Sequence, residues 1–108
     1  MRMMMRVCLP VQASNKAIKD GSLATTMGQF VEKYKPEAAH FTTFNGRRTA
    51  FFTFNLDKVS DMPSIAEPFF VGLDAEVDLS PAMNLQELKE GLDKAMTGTP
   101  KGPPTAHA

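Results

Sequence analysis

Residues 2–9 (RMMMRVCL) alternate with a period of two: Met3, Met5, Val7 and Leu9 form one row, and Met4, Arg6 and Cys8 the other. Bulky residues in that period predict a half-buried strand, which Pro10 ends. From Ser14 the spacing becomes helical. Ser14 or Asn15 can cap, and Ala17 and Ile18 open an apolar stripe. Gly21 would weaken a continuous helix by about 1 kcal/mol. The pattern therefore predicts a short first helical turn, a break at Asp20-Gly21-Ser22 and a main helix over 22–34. In that helix Leu23, Met27, Phe30, Val31 and Tyr34 share one face, and Pro36 closes it.

Two β-rich runs follow, 39–44 (AHFTTF) and 47–55 (RRTAFFTFN), with Asn45-Gly46 between them. Asn-Gly suits the type I′ turn of a two-residue hairpin, which needs positive φ at both central positions. Asp61 then caps a second helical segment, with Pro63 in its first turn and Ile65, Ala66, Phe69, Phe70 and Leu73 as the buried stripe. Pro68 is expected to kink or split it. Residues 75–79 (AEVDL) alternate again until Pro81. Asn84 and Glu87 have the spacing of a capping box, and Leu85, Leu88, Leu92, Ala95 and Met96 form a third helical stripe. The Pro/Gly-rich end, 97–108, is expected to be a disordered tail, and His107 within it needs no role.

This order predicts one ferredoxin-like α+β domain over 1–96. It would be β-α-β-β-α-β with an extra C-terminal helix, its four-stranded antiparallel sheet in the order 4-1-3-2 and both crossover helices on one face. The other face is left open.

The hairpin alone sorts the two faces. A two-residue loop pairs Phe44 with Arg47, Thr43 with Arg48, Thr42 with Thr49, Phe41 with Ala50 and His40 with Phe51, and opposed residues share a face. Phe41, Thr43, Arg48, Ala50, Phe52 and Phe54 should lie under the helices with Met5, Val7, Val77 and Leu79. The open face then carries Met4, Arg6, Cys8, His40, Thr42, Phe44, Arg47, Thr49, Phe51, Thr53, Glu76 and Asp78. This mixture is too apolar for a bare surface and too charged for a dry core. A homodimer that stacks sheet on sheet around a semi-enclosed cavity accommodates both.

Composition narrows the classes. Twelve basic and twelve acidic residues cancel, so there is no electrostatic footprint for nucleic acid or an anionic membrane. The single cysteine excludes an internal disulfide framework and a cysteine-rich metal site, and suits a reducing compartment. Arg6 interrupts the N-terminal methionine run, and no stretch approaches the roughly 20 apolar residues of a membrane span. A cytoplasmic location is the expectation, without metal or cofactor.

The segments KPEAAHF (35–41), NGRRTAFFTF (45–54) and AEPFFVGLDAEVDLSPAMN (66–84), in this element order, resemble the dimeric α+β barrel superfamily, and within it an uncharacterised bacterial family. That superfamily includes cofactor-free monooxygenases, haem-degrading enzymes, lactone isomerases and small stress-related proteins. The resemblance implies a ferredoxin-like dimer with a cavity, and no particular reaction. The chain has no Trp, which many monooxygenase and haem-degrading members use in the cavity. An RNA-binding sheet has the same topology. Residues 47–54 match its basic-aromatic pattern at Arg47, Ala50, Phe51 and Phe54, but place Arg48 at a glycine and Thr49 at a stacking aromatic.

Two candidates for chemistry stand out. His40 suits proton transfer near neutral pH, against a packing role at a dimer edge. Arg6 suits a substrate carboxylate or enolate, against an ion pair with Glu76 or Asp78. Cys8 reads as a buried thiol, and Glu76 with Asp78 as a carboxylate pair or a solvated edge. The function expected is a dimer holding a small, mostly apolar molecule, with oxygenase- or isomerase-type chemistry as one branch. A non-catalytic accessory or ligand-sensing dimer is the other.

Overall fold

A computed structural model describes residues 1–97. Strands β1 (Arg2–Leu9), β2 (Ala38–Phe44), β3 (Arg47–Asn55) and β4 (Glu76–Pro81) form one antiparallel sheet. Helices α1 (Val11–Asp20) and α2 (Ser22–Tyr34) follow β1, and α3 (Met62–Leu73) joins β3 to β4 after a 3₁₀ turn at Val59–Asp61. A fourth helix, α4 (Leu85–Thr97), follows β4. The strands lie in the order β2-β3-β1-β4, which counted from the β4 edge reads 4-1-3-2. This α+β arrangement is compatible with a ferredoxin-like fold. No described helix is long and apolar enough to cross a membrane. The expected disordered tail falls, apart from Thr97, outside the described residues.

The hairpin pairs Phe44 with Arg47 and continues residue by residue to Ala38 opposite Thr53. Asn45 and Gly46 have φ of 54° and 74°, the left-handed conformation that a two-residue I′ loop requires. Gly21, at φ 83°, ends α1 and precedes α2, so the break falls where no side chain opposes positive φ.

The core fills the space between the sheet and α1 to α3. Met3, Met5, Val7, Leu9, Ala50, Phe52 and Phe54 rise from the sheet; Met27, Phe30, Ile65, Phe69 and Leu73 descend from the helices. Phe30 is the hub, its ring centroid 4.7 Å from Phe52, 5.3 Å from Phe54 and 5.9 Å from Phe69. Val77 and Leu79 pack against this cluster from the β4 edge.

Several expectations are corrected. α1 begins at Val11, and Ser14 is not its cap: the Ser14 N–H donates to Pro10 O and its buried hydroxyl to Val11 O. Pro10 ends the strand and starts the helix with the same fixed φ, −57°. α3 runs through Pro68 as one helix, and Asp61 makes no side-chain cap. Its stripe of Ile65, Ala66, Phe69 and Leu73, all buried, holds the helix where the proline removes one hydrogen bond. Phe41 and Thr43, expected under the helices, are exposed, because β2 is an edge strand beyond the helical layer. Phe41 meets the core ring Phe52 edge-on, with centroids 5.8 Å apart. The capping box at α4 forms: the Asn84 N–H donates to Glu87 Oε1 at 2.9 Å, and the Glu87 N–H to Asn84 Oδ1 at 2.8 Å.

Candidate functional site on the open sheet face

The ladders align the open-face residues in rows across the four strands. One row reads His40, Phe51, Arg6, Asp78; the next reads Thr42, Thr49, Cys8, Glu76; a third reads Ala38, Thr53, Met4, Ser80. Phe44 and Arg47 stand beyond the second row. The structure thus brings all twelve open-face residues to one surface, with Arg6 and Cys8 on the inner strand β1.

They do not remain equally available. Arg6 directs Nε (3.1 Å) and Nη2 (2.6 Å) to a single oxygen, Asp78 Oδ2. Its guanidinium carbon also lies 4.8 Å from the centroid of the Phe44 ring. Arg47 forms an ion pair with Glu76. That carboxylate, and secondarily the neighbouring Cys8, raises the Arg47 pKa.

These contacts explain why two open-face residues are buried. Phe44 and Arg6 lie on either side of the row holding Thr49 and Cys8, so their contact must pass over it. The Arg47–Glu76 pair spans the same strand from β3 to β4. Cys8 and Thr49 are 6% and 3% exposed beneath this roof. There the Thr49 hydroxyl donates to Cys8 Sγ at 3.6 Å and to Arg47 O at 3.2 Å. Thr42, Glu76 and Asp78 are exposed, and Thr53 and Phe51 are half-buried.

His40 differs from the arginines. It is exposed on β2, beside Phe51, and its side chain makes no hydrogen bond or ion pair among the described residues. Met4 and Phe44 add apolar surface, 47% and 40% exposed. The face therefore divides into a roofed end with internally satisfied charges and an uncovered end where His40, Phe51 and Met4 meet solvent.

A third arginine lies on the same face and escaped the sequence reading. Arg2 donates from Nε to Glu37 Oε1 at 3.2 Å and from Nη1 to Ala82 O at 3.4 Å, and forms an ion pair with Glu87. Those carboxylates raise the Arg2 pKa, Glu87 foremost. Glu87 is held below the usual carboxylate range, first by the Asn84 backbone N–H and then by Arg2. Arg2, Glu37 and Glu87, with Tyr34, Lys35 and Asn55, border a hollow of about 410 Å³. Alternation from Met4 and Arg6 would have placed Arg2 on this face; the partners brought by the loop after β4 carry no spacing signal.

Among the described residues no group of three or more His, Cys, Asp and Glu side chains is placed to hold a metal ion. No protein-family model, curated protein or solved structure matches the chain.

Proposed function

We propose that the chain works as a homodimer, stacked open face to open face in the manner of the dimeric α+β barrels, and that the chamber between the sheets holds a small, mostly apolar molecule. The observation that carries this reading is the uncovered end of the face. His40 has no partner there, while Phe51 and Met4 beside it offer apolar surface that the protomer's own helices, all engaged on the opposite side or absent from this face, do not shield. Ligand sites commonly combine this kind of apolar wall with a few convergent polar groups.

Binding without catalysis is the better supported branch. Arg6 is already satisfied by Asp78 and Phe44, so a substrate anion would have to displace an ion pair. Any proton transfer at the uncovered end falls to His40 alone. Titrating small quinones, lactones and aromatic polyketides into labelled protein tests the reading. Shifts confined to His40, Phe51 and Met4, weakened in a folded His40→Ala variant, support it. Shifts centred on the Arg2 hollow, or none with any of these probes, contradict it.

A further inference from the structure

The helix α4 presents Leu85, Leu88, Leu92 and Met96 along one side, spaced by three, four and four residues, and buries none of its thirteen residues. Those four side chains are 67%, 40%, 54% and 74% exposed. Gln86, Glu90 and Lys94 occupy other sides, so the helix is amphipathic and its apolar side is left uncovered among the described residues. An isolated helix of this length is marginal in water, which makes packing of the stripe a condition of its persistence.

Its exit from the sheet is held in place. The Ala82 N–H donates to Arg2 O at 3.0 Å, extending the β1–β4 ladder, and Arg2 Nη1 returns to Ala82 O. The Arg2–Glu87 ion pair and the Asn84–Glu87 capping box then fix the first turn. These contacts tie the three-residue connection between β4 and α4 to β1 and to the first turn of α4, and folding the stripe back over the chain's own sheet would strain them.

Resting on the proposed face-to-face pairing, we infer that α4 is an exchanged arm, the apolar stripe of each copy lying against the other copy. Arg2 puts the root of the arm at the margin of the open face, so the arm continues that interface. Area favours the same occupant. Four strands about 4.8 Å apart and about 25 Å long offer roughly 480 Å² of sheet, short of the roughly 800 Å² per partner of a standard stable interface. A helix about 20 Å long and 10 Å wide covers about 200 Å². In a two-fold pair each copy gives one arm and receives one, and these two contacts make up the shortfall.

The test compares Leu88→Lys/Leu92→Lys with Glu90→Lys, which adds the same charge on another side of α4. Both leucines are exposed in the protomer, so the domain should keep its fold by circular dichroism. In light scattering on dilution, the double variant is expected to dissociate at a concentration at least about tenfold higher, because two buried leucines are lost, while Glu90→Lys stays near wild type. In a mixture of differently labelled wild-type chains, isotope-filtered NOEs should connect Leu88 and Leu92 methyls to the other chain. Unchanged dissociation of the double variant, or methyl NOEs only within one chain, overturns the arm. If Phe51→Asp separates the pair while the double variant does not, the sheet pairing stands and the arm fails; arm NOEs that persist across a Phe51→Asp pair sink the sheet pairing instead.

Discussion

Arg6 and Asp78 stand directly opposite in register on β1 and β4, and both nitrogens that the arginine offers go to the same carboxylate oxygen, at 3.1 and 2.6 Å. The second oxygen of Asp78 takes no part, so this is a one-oxygen clamp and not the parallel fork of a bidentate pair. The clamped guanidinium meets Phe44 across the row that holds the buried Thr49 and Cys8.

Because both side chains are more than a third exposed, the pair should position more than it stabilises. Asp78→Ala is expected to change unfolding free energy by no more than about 1 kcal/mol, as for other exposed pairs, in urea titration. The same variant frees Arg6, so binding of a carboxylate probe at this face should tighten. A loss of several kcal/mol would mean that the pair carries the sheet.

The roof over Cys8 makes a chemical prediction. A thiol reagent should modify Cys8 slowly in the native chain and rapidly in denaturant. Phe44→Ala removes one side of the cover and should speed native modification several-fold, since the thiol's access is limited by the side chains above it. Equal rates in wild type and variant would place the barrier elsewhere.

Core and edge phenylalanines should separate cleanly in stability. Phe52 is buried to 1% exposure against Phe30, and its replacement by alanine should cost about 3–5 kcal/mol. Phe41, 63% exposed on β2, should cost less than about 1 kcal/mol by the same measurement. A large loss at Phe41 in dilute, monomeric protein would show that β2 is not the open edge described.

Acid should loosen α4 before the domain. Glu87 has a lowered pKa in the folded chain, caused first by the Asn84 backbone N–H and then by Arg2. A depressed carboxyl contributes stability above its unfolded value, near 4.3, and loses it as pH falls through the lower folded value. Helicity in α4, followed by NMR, should therefore hold through the neutral range and decline below about pH 4.3. Glu87→Gln should weaken the helix start at neutral pH and flatten that acid response.

The sheet was legible because its signals are local. Asn45-Gly46 sets the hairpin register, and a period of two then assigns every residue of β1 and β3 to a face. Helix limits were less legible: Pro10 acts on both sides of one residue, and Pro68 is tolerated only because the stripe around it is buried. The open-face residues could be named from alternation, but not their states. Whether Arg6 chooses Asp78 or Glu76, and whether Cys8 is buried, depends on side chains that reach across two strands. Arg2 follows the same alternation as Met4 and Arg6, but its partners Glu37, Ala82 and Glu87 come to it from distant parts of the chain.

The proposal that two copies bury this face together is tested most directly by light scattering of Phe51→Asp beside wild type. The account predicts twice the 11.8 kDa chain mass for wild type and a single chain mass for the folded variant. A wild-type chain that runs as a monomer, or a variant whose mass does not change, would contradict it.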